Sequence, residues 1–256
     1  MRKYILGISG LLFVAFGLTM TSWKKENTSP AEVANSKLQL QAKAYHNHVK
    51  QIYDAAHLSE KGLELPVFEK AVTGFYNLNQ LGDSTNNLLT IADFDQPSTQ
   101  KRLYIIDLNK EQLILNTWVA HGQGTGENQA VKFSNINDSY TSSIGFYRTG
   151  EEYRGVHGRS LRLDGLDSGY NDNARLRSIV IHGAPYVSAE TIAAIGRLGR
   201  SQGCPAVSPD LSDQVINTLG EGSVFFINSS KSNYHSSYLN ETLAANISAA
   251  ASRQMD

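Results

Sequence analysis

The sequence has one cysteine, Cys204, and no surplus of either charge: 23 Lys and Arg against 24 Asp and Glu leave a net charge of −1 over 256 residues. A lone thiol cannot close an internal disulfide, so the chain is not a disulfide scaffold. The charge balance removes the basic footprint expected of a nucleic-acid binder, and no basic cluster flags a membrane surface. The glycine-rich stretch Gly122 to Gly126 lacks the Gly-Lys-Ser/Thr that a phosphate loop needs, and reads instead as a loop over a groove. Cys204, His182, His121 and His157 show no ligand pair at zinc spacing, which leaves His121 and His157 as groove-lining or structural. His46 and His48, two apart on a helix, face different sides and are read as solvated. No internal repeat is visible. The 41% apolar and 18% charged fractions are those of a folded domain.

The chain opens with Arg2-Lys3 and an apolar run from Tyr4 to Met20, ended by Trp23-Lys24-Lys25. Residues 1–22 are therefore expected to be a cleaved signal peptide or an uncleaved signal anchor, with a buried helix as the alternative. Membrane contact is expected only through this segment, and only if it stays attached. No cysteine follows the run closely, which excludes a lipid anchor on a thiol. A polar linker then leads to two stretches of helical period. Leu38, Ala42, Tyr45, Val49, Ile52 and Ala56 form one stripe, and Val67, Phe68, Ala71, Val72, Phe75 and Tyr76 form the other, after Pro66. They predict an α-hairpin within residues 23–87.

From Leu88 the period becomes two. Strands are expected at Leu88–Phe94, Arg102–Leu108 and Gln112–Ala120, then after a loop over 134–150, with short strands at Glu152-Tyr153, Leu161–Leu163, Ile179–Ile181 and Ser223–Ile227. Helices capped by Ser188 and by Ser208-Pro209 interrupt them. The fold class is α+β: a mostly-β catalytic domain over 88–228 with short helices, preceded by the α-hairpin. A polar, then Ala-rich tail over 229–256 is given no function.

The chemistry concentrates in two places. His182 ends the apolar run Ile179-Val180-Ile181, and Cys204 lies 22 residues downstream within Gly199-Arg200-Ser201-Gln202-Gly203-Cys204-Pro205-Ala206. An imidazole that takes a proton and a thiolate that attacks a carbonyl are the two parts of a cysteine acyl-transfer site. A free thiol is only a few per cent ionised at neutral pH, and a neighbouring histidine raises that share. The bland alternative is a buried inert thiol. The polar, turn-like setting of Cys204 argues against it.

His182-Gly183 followed by Ser201-Gln202-Gly203-Cys204 resembles the murein L,D-transpeptidases, the YkuD-like family. Further stretches resemble it too: His121-Gly122-Gln123-Gly124-Thr125-Gly126, Phe133-Ser134-Asn135, Gly145-Phe146-Tyr147, Leu161 to Leu166 and Asn171 to Ala174. The resemblance implies an exported enzyme without cofactor or metal, in the periplasm or cell envelope of a bacterium, whose partners are peptidoglycan stem peptides. It implies Cys204 as nucleophile, His182 as general base, the Gly183 backbone carbonyl as orienter of the imidazole, and the Gly203 and Cys204 N–H groups as oxyanion donors, with Ser201 alongside. Transpeptidation and carboxypeptidation both stay open. Many members carry a histidine where Gln202 stands, and an arginine shortly after the cysteine, where this chain has Pro205-Ala206. The receptor for a substrate carboxylate is then sought among Arg200, Arg175 and Arg162, with Tyr147 and His121 as further groove residues. That departure also leaves room for a weak or inactive wall-binding protein on the same fold. Ser98-Thr99-Gln100-Lys101 matches the Ser-x-x-Lys of penicillin-binding enzymes, but Ser98 precedes a strand, not a helix. A papain-like order would place the cysteine before the histidine.

Overall fold

Strand β8 (Val224–Asn228) is apolar at four successive positions because both faces of the sheet around it are covered. Val224 and Phe226 point to one core, Phe225 and Ile227 to another. The computed structural model describes residues 29–246 apart from residue 85. The expected signal segment lies outside the described residues. Among the described residues no helix is long and apolar enough to cross a membrane.

Eight strands form one sheet in the order β3-β2-β1-β8-β4-β5-β6-β7. They are β1 (Leu88–Asp93), β2 (Leu103–Asp107), β3 (Gln112–Thr117), β4 (Gly145–Gly155), β5 (Gly158–Gly165), β6 (Val180–Gly183), β7 (Ala206–Val207) and β8. All neighbours run antiparallel except β1 with β8 and β6 with β7. Helices α1 (Pro30–Ala55) and α2 (Leu65–Gln80) cover one face, and α4 (Pro209–Leu219) packs on the other. The short α3 (Ala189–Ile195) is capped by Ser188 and stopped by Gly196 in the left-handed region. The α+β class and the N-terminal helix pair are thus present as expected.

Several local expectations need correction. The loop expected through Gly150 is strand: β4 runs unbroken from Gly145 to Gly155, with a register shift between Thr149 and Glu152. A bulge at the glycine bends the strand without ending it. Strand β3 stops at Thr117, and Ala120 keeps only an isolated bridge to Ala206. In α1 the inward stripe begins at Tyr45; Leu38 is half exposed. His48 is not solvated, for its Nε2 lies 2.8 Å from the Tyr76 hydroxyl and the ring is half-buried.

The hairpin and the sheet share one core. Tyr45, Ile52, Phe68 and Phe75 pack with Leu89, Tyr104, Phe146 and Phe226. Gly74 of α2 sits where a Cβ would lie 1.9 Å from Phe146 Cζ, so only glycine lets the helix approach the ring this closely. The chain after β8 joins the same core rather than trailing away. Ala244 and Ala245 are buried, Asn77 Nδ2 donates to the carbonyls of Tyr238 (2.7 Å) and Asn240 (3.0 Å), and the Tyr234 hydroxyl donates to Asp167 (2.6 Å). Composition alone gave the tail no packing role because small Ala side chains and polar residues carry no hydrophobic period.

Candidate active site

The site forms at the β5-β6-β7 edge. In the ladder His182 is in register with Ser160 of β5 on one side and with Ala206 of β7 on the other. That parallel pairing carries Cys204, two residues before Ala206, to the start of β6, beside Val180. Both His182 and Cys204 line a cavity of about 520 Å³, together with Arg177, His157, Tyr186 and Arg200.

His182 is buried, and its Nδ1 donates to the Gly183 carbonyl at 3.0 Å, which leaves the Nε2 lone pair unprotonated. Burial lowers its pKa below the usual 6.5; the Gly183 bond opposes this and the adjacent His157 adds to it. The two imidazoles stack at 4.2 Å between centroids and 19° between planes. Gly183 is required by close packing: a Cβ there would lie 2.9 Å from Ser212 Oγ and 3.2 Å from the Pro209 Cα at the start of α4.

Cys204 is partly exposed, with its thiol 3.7 Å from the Ser178 carbonyl. Burial pushes the thiol pKa up, while the Val180 N–H and the Arg177 charge pull it down. The turn before it is braced by Ser201, whose Oγ donates to the Cys204 carbonyl (2.6 Å) and accepts from the Gly203 N–H (3.0 Å). The Gly203 N–H, expected to serve an oxyanion, is thus already committed to Ser201, and Ser201 is a turn brace. Gly203 has φ +125°, and a Cβ there would lie 2.8 Å from the Thr141 carbonyl.

The other sought-after residues scatter. Arg200 reaches the cavity wall but is bound to Glu127 Oε1 (2.7 Å) and the Gly126 carbonyl (3.0 Å). Arg175 pairs with Asp164 (2.6 Å) and Glu151 (2.9 Å), and Arg162 with Glu151 (2.9 Å), away from the cavity lining. Arg175 foremost holds the Glu151 carboxyl at about 2. Tyr147 is not in the groove: it is fully buried, with its hydroxyl 2.8 Å from Ser143 Oγ and its pKa raised by burial. His121 is also interior. Burial, aided by the Arg102 guanidinium at 2.7 Å from its Nδ1, holds its pKa at about 4. Ser98 is buried against Asn128 and the Leu198 N–H, remote from any helix start.

The sequence reasoning missed Arg177. It lies in an irregular turn with no period, and its only local signal is its place two residues before the buried run Ile179–Ile181. The guanidinium is half-buried, and donates to the carbonyls of Ser134 (2.8 Å) and Thr141 (2.5 Å) and to the hydroxyls of Ser143 (3.2 Å) and Ser139 (3.4 Å).

Comparison with known proteins adds the family. The profile described as L,D-transpeptidase catalytic domain matches residues 59–228. No curated protein sequence matches the chain. Among solved structures it is similar to the LD transpeptidase LdtMt1 in complex with imipenem, at 12% identity over 56% of this chain and 59% of that one, with a TM-score of 0.36. An L,D-transpeptidase from Mycobacterium smegmatis gives the same figures. The helical cell shape determining protein Pgp2 from Campylobacter jejuni is 14% identical over 73% of this chain and 64% of that one, with a TM-score of 0.40. This chain spans less than two thirds of each of these three.

Proposed function

Because this chain belongs to the L,D-transpeptidase catalytic-domain family, we propose that it is an exported cysteine acyltransferase acting on peptidoglycan stem peptides, through a thioester on Cys204. The observation that carries the reading is the convergence of the lone thiol and a tautomer-fixed imidazole on one cavity. His182 Nε2 accepts the Cys204 proton. The thiolate attacks the carbonyl of the third stem residue, and the bond to the fourth breaks as His182 returns the proton to the departing amine. An acceptor amine or water then attacks the thioester, and the thiol regains its proton. The Cys204 N–H makes no hydrogen bond among the described residues and is the free backbone donor at that turn for the oxyanion. Such a donor typically supplies ~3–4 kcal/mol of transition-state stabilisation.

The test is the intact mass of the protein after incubation with a carbapenem, a reagent that acylates this family's cysteine. A stable adduct on Cys204, lost in His182→Ala, is expected. A folded protein with reduced Cys204 and no adduct overturns the acyltransferase and favours a wall-binding protein instead.

The rate of that acylation also has a pH signature. The base must be neutral, and the His182 pKa lies below 6.5, so the acid limb is expected to inflect below pH 6.5. His157 lies against the ring and disfavours the imidazolium, so His157→Ala raises the His182 pKa and moves the inflection upward. An unchanged or lower inflection would show that the stacked pair is not coupled.

A further inference from the structure

The surroundings of Cys204 hold a cation that the transfer chemistry above does not use. The turn 177–180 wraps the thiol: the Ser178 carbonyl accepts from it, the Val180 N–H faces it, and Arg177 stands at its flank. Ser178 takes φ +54°, unfavourable for a serine, and this backbone turn directs its carbonyl to the sulfur. Arg177 Nη2 lies 3.3 Å from the position a Cβ would take on Gly203, so the guanidinium abuts the Gly203–Cys204 turn.

We propose that Arg177 is a positioning residue that acts through Cys204, a fixed cation that supports the thiolate. Two features of its setting support the assignment. First, all four of its hydrogen-bonding partners are neutral oxygens. Arg200, Arg175 and Arg162 each have a carboxylate within ion-pair range, and among the described residues Arg177 has none. Its charge is therefore not cancelled by an ion pair; Asp138 lines the same cavity without pairing to it, and the Cys204 thiolate is the anion that acyl transfer generates beside it. Second, those bonds occupy both terminal nitrogens. The fork is not open for bidentate grip of a substrate carboxylate, and what it offers the cavity is mainly a point charge held in a half-buried place, where charge interactions are less screened than in water. The loss of solvation lowers the Arg177 pKa, and the charges of an ionised Tyr147 and an ionised Cys204 oppose this in part.

The inference rests on Cys204 being the nucleophile, but its test needs no peptidoglycan and no carbapenem. The rate of Cys204 alkylation by iodoacetamide is followed against pH, and the inflection gives the thiol pKa. The other titratable or charged groups facing this cavity are His182 on β6, His157 at the β4–β5 tip, Tyr153 on β4, Tyr186 after β6, Arg200 before the turn, and Asp138 and Tyr140 on the β3–β4 connection. All of them are unchanged in the variants. Arg177→Gln is expected to move the inflection up by about one pH unit, which slows alkylation at pH 7 roughly tenfold. Arg177→Lys, which keeps the charge, is expected to stay within about half a unit of the parent. An inflection in folded Arg177→Gln that moves up by less than about half a unit overturns the proposal. If instead Arg177→Gln loses its cooperative melting transition, the parent protein decides. At pH ~8.5, above the usual histidine range, the rate with anionic iodoacetate relative to neutral iodoacetamide is expected to fall as salt is raised. A ratio indifferent to salt overturns the proposal as well. A reactive thiol with no role for Arg177 leaves the acyltransferase standing, and a missing carbapenem adduct with a normal Arg177 effect removes the acyltransferase alone.

Discussion

Replacing Cys204 by alanine is expected to reduce turnover of a stem tetrapeptide by roughly 10⁴-fold or more, the scale on which an enzyme loses rate when its covalent nucleophile is removed. No other thiol exists in the chain to take over. Ser201, the nearest hydroxyl in sequence, is tied into its turn by bonds to the Cys204 carbonyl and the Gly203 N–H. His182→Ala is expected to lose a comparable factor, because without it the half-buried thiol, its pKa raised by burial, has no base to ionise it. The double variant is expected to be scarcely worse than either single one, since base and nucleophile act as a unit. Product release followed by chromatography with a purified tetrapeptide checks this. Turnover in Cys204→Ala above about a tenth of the parent would remove the thioester from the mechanism.

Phe146→Ala is expected to destabilise the fold by ~3–5 kcal/mol, the usual cost of truncating a fully buried aromatic. The ring is completely inaccessible. It stacks on Phe226 at 4.3 Å, meets Tyr238 edge-on at 6.1 Å, and fills the notch left by Gly74. It is therefore the point where the helix pair, the sheet and the chain after β8 are joined. Gly74→Ala attacks the same contact from the other side by overfilling it, at a typical ~1–3 kcal/mol. For a chain of this size each kcal/mol lowers the melting temperature by about 2–4 °C, so the Phe146 variant is expected to melt roughly 10 °C lower. Cys204 packs with the other core of the sheet, so the fraction that remains folded should alkylate at the parent rate. A loss of less than about 1 kcal/mol by urea titration, against the usual range for such truncations, would mean the three parts are not joined through this ring.

The residues to which the chemistry is assigned were readable along the chain because their signals are local. His182 stands at the end of an apolar run, and Cys204 sits in a serine–glycine turn ahead of a Ser-Pro helix start. The same holds for the helix pair, where a repeating stripe marks each helix, and for β8, where four apolar residues in a row signal burial on both faces. Local signals failed where structure depends on a distant neighbour. Gly150 looked like the end of a loop, yet β5 and β8 hold β4 together across a bulge. Tyr147 and His121 looked like groove residues because they lie within motif stretches, but the sheet turns Tyr147 inward and Arg102 claims His121.

By itself, then, the sequence determined the fold class and singled out one thiol and one histidine on which the proposed function rests. The fold class follows from residue type and period, and the roles proposed for Cys204 and His182 follow from the family resemblance. Only the tertiary structure decided which charges lie near the thiol. Arg200, four residues from Cys204, is drawn into an ion pair with Glu127, a carboxylate 73 positions away that Arg197 shares, while Arg177, 27 positions away, is placed beside the thiol by the pairing of β6 with β7. Charge in a protein interior acts through space and through the presence or absence of counterions, and neither is a property of the chain's order.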